Sequence, residues 1–221
     1  SGRLRDRRYQ IKAGRTMNII PRFRGIALVS SLLVTAMLTA CSPGADPQQS
    51  QSAPLAGAKI GGPFTLTNQD GKTVSDRDFA GKYRIMYFGY TFCPDVCPTD
   101  MQVIGAAMRM LDQSNPALAK RVVPVFVTID PARDTPAVLK QFVTAFDPRI
   151  VGLTGSAAAI DKVAKHYAVF YQKGEPTASG GYLMQHSNQV YLMDPAGKPL
   201  ALLATDEGPK AVVADIERWA K

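Results

Sequence analysis

Residues 83–100, YRIMYFGYTFCPDVCPTD, restrict the fold more than any other stretch of the chain. The apolar run 85–90, with Tyr and Phe in it, reads as a buried strand, and Pro94 and Pro98 then break it into a turn followed by a helix start. Cys93 and Cys97 sit at that junction. A spacing of four lets both sulfurs project to one side of a helical turn, where they either close a disulfide or grip one metal ion. A helix N-terminus favours negative charge, so thiolates are expected to form more readily there than in bulk water.

A chain of 221 residues, 46% of them hydrophobic, can bury one ordinary globular core, and two full domains would be tight. Its formal charge of +8 is concentrated at one end. Residues 1–40 hold Arg3, Arg5, Arg7, Arg8, Lys12, Arg15, Arg22 and Arg24 against Asp6 alone, and removing these from 26 basic and 18 acidic residues leaves 18 against 17 for residues 41–221. The remaining chain is almost neutral, so no nucleic-acid partner is expected. Met17 is followed by Arg22 and Arg24, an uncharged run over 25–40, and Leu38-Thr39-Ala40-Cys41. A short basic region, an apolar core and small residues before a cysteine resemble a bacterial lipoprotein signal, residues 17–40, with Cys41 cleaved to the N-terminus and lipidated. An uncleaved membrane helix is the alternative, but the run is shorter than the roughly 20 residues a span needs. Residues 1–16 precede the first Met and read as an upstream artefact, outside the fold.

With Cys41 lipidated, Cys93 and Cys97 are the exported protein's remaining cysteines. Export places them in an oxidising compartment, either as a disulfide or kept reduced for a purpose. One bridge across so short a loop adds little stability, because closure entropy scales with loop length. Function is the better account of the pair.

Residues 42–58, SPGADPQQSQSAPLAGA, have scarcely a bulky side chain and read as a flexible tether from lipidated Cys41 to a domain over 59–221. Phe64-Thr65-Leu66-Thr67 alternates, Asp70-Gly71 signals a turn and Thr73-Val74 returns, which predicts an N-terminal hairpin. Behind Pro98, Met101, Ile104, Met108 and Leu111 recur at helical spacing; the Met residues are expected to fill the core rather than to bind copper. Residues 122–129 read as a second buried strand and end at Asp130-Pro131-Ala132-Arg133-Asp134. Thr135-Pro136 opens a helix facing inward through Val138, Leu139, Phe142, Val143 and Phe146. Residues 152–155 read as a short connection, Ser156 opens a helix carrying Ile160, Val163 and Tyr167, and 169–171 as a strand. Residues 174–181 are rich in Gly, Ser, Thr and Pro and read as a surface loop leading to His186. Strands at 190–193 and 200–203 and a closing helix on Val212, Val213, Ile216 and Trp219 complete an α/β three-layer domain.

This order of elements is that of a thioredoxin-like fold with an added N-terminal β-hairpin. A thioredoxin-type redox pair has two residues between its cysteines, and here there are three. Such a fold also usually places a Pro before the hairpin strand, beside the cysteines; His186 stands near that point, and the fold analogy brings its imidazole toward the two sulfurs from the facing loop. On the residues alone, a loop histidine hydrogen-bonded to backbone is the favoured reading and a metal ligand the second. Two thiolates and an imidazole suit Cu(I), whereas a structural zinc site wants four protein ligands. His166 falls inside a helix beside Tyr167 and reads as a surface or partly buried histidine.

Several motifs in order resemble the Sco/SenC family: Phe88-Gly89-Tyr90-Thr91-Phe92-Cys93-Pro94-Asp95-Val96-Cys97-Pro98, then Asp130-Pro131 with Arg133-Asp134, Gly152-Leu153-Thr154-Gly155, and His186-Ser187 before Tyr191-Leu192-Met193-Asp194-Pro195-Ala196-Gly197. The resemblance implies a membrane-tethered, thioredoxin-like metallochaperone that delivers copper, as Cu(I) with Cu(II) as a second state, to the binuclear copper centre of cytochrome c oxidase. By position, Cys93, Cys97 and His186 would be the copper ligands. Members often carry Asp before the histidine, where this chain has Gln185, which changes the ligand's surroundings rather than the ligand set. Expected partners are the oxidase copper subunit, other periplasmic copper chaperones or thiol reductases, and the membrane through the lipid anchor, with the protein facing the periplasm. Asp95 and Asp130 read first as solvent-facing turn residues, and second as groups that tune the thiols or meet a partner. The leading rival is a thiol-disulfide reductase of the oxidase copper site that carries no metal.

Overall fold

The structure is a computed structural model that describes residues 52–177 and 180–221. The expected signal peptide, Cys41 and residues 42–51 of the expected tether lie outside the described residues. Among the described residues, nine strands run in chain order as β1 (Thr65–Asn68), β2 (Thr73–Ser75), β3 (Tyr83–Gly89), β4 (Val122–Thr128), β5 (Val151–Thr154), β6 (Tyr171–Pro176), β7 (Tyr182–His186), β8 (Val190–Met193) and β9 (Pro199–Leu202). The α-helices are α1 (Val96–Ser114), α2 (Pro116–Ala119), α3 (Pro136–Thr144), α4 (Ala157–His166) and α5 (Pro209–Trp219).

Seven of the strands form one sheet in the order β2-β1-β5-β4-β3-β8-β9, with β3, β4 and β5 parallel and the remaining pairings antiparallel. β3 is buried at every residue, as a strand covered on both faces must be. Tyr87 packs on Phe126, which packs on Phe142 of α3, while its neighbour Phe88 points to the opposite face and meets Tyr167 at the end of α4. Helix α1 shares the first face, packed against α5 and tied to the turn after α3 by a hydrogen bond from Arg109 Nη1 to the carbonyl of Phe146 at 2.7 Å. The result is the three-layer, thioredoxin-like arrangement with the hairpin β1–β2 added at the β5 edge.

Pro124 lies inside β4, where a missing N–H would ordinarily break a central strand. The β4–β5 register begins at Val125 opposite Val151, so no ladder on that side reaches Pro124. Met101, Ile104, Met108 and Leu111 are all buried, so the Met stripe fills the core.

Three elements differ from the sequence reading. Residues 151–154 form a strand rather than a connection, and Gly152 is the reason it fits. A Cβ there would stand 3.1 Å from Val143 Cγ1, so the glycine lets α3 press directly on the sheet. Residues 171–176 and 182–186 pair as an antiparallel hairpin apart from the main sheet, so the expected surface loop shortens and His186 ends a strand instead of lying in a loop. Finally, the expected tether meets the folded body before its end. Leu55 N donates to the carbonyl of Leu200 at 2.9 Å, and Leu55 packs on the core.

Candidate metal centre

β3 ends at Gly89, and Tyr90, Thr91 and Phe92 carry the chain to Cys93 in the turn before α1. Helix α1 begins at Val96, which places Cys97 in its first turn. Both thiols are free; Cys93 is half-buried and Cys97 fully buried. Gly89 makes room for them, since a Cβ on it would fall 2.8 Å from Cys97 Sγ and 3.1 Å from Phe126 Cε2.

The expectation of an easily formed thiolate fails for Cys97. Burial pushes its thiol up to about 12, against the pull of the Tyr90 backbone N–H and the Tyr87 phenol. Desolvation disfavours the charged sulfur more than the helix start favours it.

His186 comes in from the end of β7. Its Nε2 stands 3.4 Å from Cys97 Sγ, and its Nδ1 lies 2.8 Å from the carbonyl oxygen of Ser187. A carbonyl only accepts, so this contact assigns the ring proton to Nδ1 and leaves the Nε2 lone pair facing the sulfur. The Tyr90 ring packs edge-on against the imidazole, with centroids 5.9 Å apart. One donor atom from each of Cys93, Cys97 and His186 lies within 4.8 Å of the others. Among the described residues, this is the cluster of three His, Cys, Asp or Glu side chains suited to a metal ion. His166 takes no part: it ends α4, and its Nδ1 is buried against Gly62, where a Cβ would come within 2.8 Å.

The two aspartates weighed from sequence separate. Asp95 is exposed and stands at the N-cap of α1 without a side-chain capping bond. Asp130, expected to face solvent, is buried at 4% exposure because it accepts from the Tyr182 hydroxyl at 2.9 Å and pairs with Arg133 Nε. Three further residues, Asp134, Arg133 and Tyr182, emerge that sequence reasoning did not single out as parts of the site. The wholly buried Asp134 accepts from Thr91 N at 3.0 Å, Thr91 Oγ1 at 2.6 Å and Thr128 Oγ1 at 2.6 Å, so it ties the end of β4 to the cysteine turn. Burial raises its carboxyl above the usual range, although these bonds pull the other way. Arg133 and Tyr182 form the second link, between the β4–α3 turn and β7. The short run Asp130-Pro131-Ala132-Arg133-Asp134 was the visible signal, but nothing local says that its charges turn inward.

A SCO1/SenC family model matches residues 52–221. The chain belongs to the SCO1/SenC family. Protein SenC of Rhodobacter capsulatus is 42% identical over 164 residues, covering 73% of this chain and 71% of that protein. The mitochondrial SCO1 homolog 1 of Arabidopsis thaliana is 43% identical over 146 residues, which cover 66% of this chain and 42% of the plant protein. Against that relative, then, this SCO1/SenC chain spans less than half the length. Among solved structures, Bradyrhizobium japonicum ScoI with copper bound superposes with a TM-score of 0.66 at 41% identity, over 72% of this chain and 99% of that one. Yeast Sco1 with copper bound gives 0.66 at 36% identity, over 72% and 87%. No helix among the described residues of this SCO1/SenC protein is long and apolar enough to cross a membrane.

Proposed function

We propose that this protein binds a copper ion through Sγ of Cys93, Sγ of Cys97 and Nε2 of His186, and delivers it to the binuclear copper centre of cytochrome c oxidase. The observation that carries this reading is the meeting of two sulfurs and one correctly presented imidazole nitrogen within 4.8 Å. Soft donors in so small a number suit Cu(I). The SCO1/SenC relatives solved with copper bound support the same cargo. Taking up the ion displaces the Cys97 thiol proton, so metal and protons exchange at one sulfur. Oxidation of Cys93 and Cys97 to a disulfide removes two electrons and two protons and withdraws two ligands together. Redox state and loading are thereby coupled.

The partners proposed with this role are the oxidase copper subunit, other periplasmic copper chaperones and thiol reductases. The site would act from a domain facing the periplasm, held at the membrane by lipid on Cys41. Cys41→Ser should abolish lipid labelling; unchanged labelling would remove the anchor from the proposal.

One observation favours a second reading, thiol-disulfide exchange without metal. A half-exposed Cys93 beside a buried Cys97 is the arrangement of an attacking thiol and its resolving partner. Copper titration of the reduced protein decides. One equivalent should bind, and His186→Ala should weaken binding by at least the 10- to 100-fold that even outer partners of metal ligands cost, while leaving disulfide exchange intact. Full oxidase maturation in cells carrying His186→Ala would discard the carrier.

A further inference from the structure

The cysteines and the histidine are held by different means. Cys93 and Cys97 follow β3 and start α1, inside the main body. His186 ends a hairpin whose two strands pair only with each other. A lone two-stranded hairpin is marginal in water, so something outside its own ladder must fix it. Its burial pattern gives partial help: Tyr171 and Met184 pack against the core, but Leu183 is 48% exposed and most of β6 faces solvent.

Arg133 adds polar and stacking contacts to that packing. Its guanidinium lies over the Tyr182 ring at 3.7 Å, and its Nη1 donates to the Tyr182 carbonyl at 2.9 Å, so it grips the first residue of β7 by both ring and backbone. Its Nε pairs with buried Asp130, which also accepts from the Tyr182 hydroxyl. On the cysteine side, the same guanidinium sits 4.9 Å from the Phe92 ring and 5.6 Å from the Tyr90 ring, and Tyr90 packs edge-on against His186. Lys173 lies over Tyr182 at 4.0 Å and adds a second cation to that ring. One planar cation thus touches the cysteine turn, the β4–α3 turn and the histidine strand, and it is not itself a metal donor. Its Nη2 is buried without a hydrogen-bond partner, so part of its hold is stacking rather than pairing.

We propose that Arg133 is the positioning residue for His186, holding the β6–β7 hairpin so that the imidazole stays over the sulfurs. This rests on the copper reading of the site. The metal-free protein tests the positioning by itself. In Arg133→Met, the amides of residues 171–175 and 183–186 should exchange with solvent at least about 10-fold faster than in wild type, with those of β3 and β4 unchanged. Equal rates in the hairpin would overturn the proposal, as would acceleration spread evenly over β3 and β4.

The loaded protein gives the second readout. Using the full chain, reduced and titrated with Cu(I) against a competing chelator, Arg133→Met should weaken binding about 10-fold. Combined with His186→Ala, it should add less than about 2-fold to the loss from His186→Ala alone, because both remove the same ligand. Its Cu(II) absorption spectrum should move toward that of His186→Ala. Losses that multiply in the double variant, or unchanged affinity, would overturn the role assigned to Arg133. Should Arg133→Met fail to fold with Asp130 left unpaired, Tyr182→Leu keeps the ion pair, removes the stacking ring and must give the same exchange pattern. Wild-type protein that binds no copper would sink the copper reading alone and leave the exchange experiment to judge Arg133.

Discussion

The main sheet and the β6–β7 hairpin differ in what makes them stable, and the candidate site joins one to the other. β3 is buried at all seven positions and lies between two partner strands. The hairpin is largely half-buried or exposed and has no third strand. The sulfurs therefore inherit the rigidity of the core, while the nitrogen depends on Tyr171 and Met184 at the core's edge and on a few polar and aromatic contacts. For the proposed copper carrier, ligands from supports of unequal firmness would let the site hold its cargo and still open.

The strongest way to break this comparison is to injure the core. Phe88→Ala, which removes a ring packed on Tyr167, should lower unfolding free energy by about 3–5 kcal/mol in chemical denaturation. A loss below about 1 kcal/mol would show that the sheet is not the stable part. Next comes the join between β4 and the cysteine turn. Asp134→Asn replaces an acceptor-only group with one that turns an N–H toward other donors, and it should cost about 1–3 kcal/mol by the same measurement.

A smaller effect sharpens the contrast through pH. Burial pushes the Asp147 carboxyl up, but hydrogen bonds from the Arg149 side chain and backbone outweigh it and hold the group below the ordinary carboxylate range. Its folded value is lower than its unfolded one, so its stabilisation is present above about pH 4 and is lost as pH falls through the folded value. Asp147→Asn should flatten the acid limb of a stability profile and leave hairpin exchange untouched; an unchanged limb would discard the linkage. The smallest change belongs to the hairpin surface. Leu183→Ala should shift stability by less than about 0.5 kcal/mol, and a core-sized loss there would erase the distinction between the two regions.

The same division explains what was legible in the sequence. β3, the cysteine junction, the N-terminal hairpin and the helical faces of α1, α3, α4 and α5 follow from periodicity, prolines and caps, which are local signals backed by deep burial. Thr135 and Ser156 cap their helices as their types suggest, accepting from Val138 N and Ala159 N. β7 was not legible, because a half-exposed strand shows weak alternation and Gly174 and Pro176 in its partner read as breakers. The inward turn of Asp130 and the use of Arg133 were hidden for a related reason. Their partner Tyr182 lies some fifty positions away, and no local pattern announces a charge that is buried because a distant ring covers it. At the sulfurs, the helix start predicted easier ionisation, and burial of Cys97 reversed it.

Cys97 is buried beneath the cysteine turn while Cys93 and His186 are half-buried, and for the proposed copper carrier that gradient would set a direction of traffic. On that proposal, an acceptor would approach from the Cys93 and His186 side and insert its own donors while the innermost sulfur still holds on. Hand-over would then pass through an adduct shared by both molecules, and its rate should climb with acceptor concentration. A rate independent of the acceptor would mean instead that the ion escapes into water first.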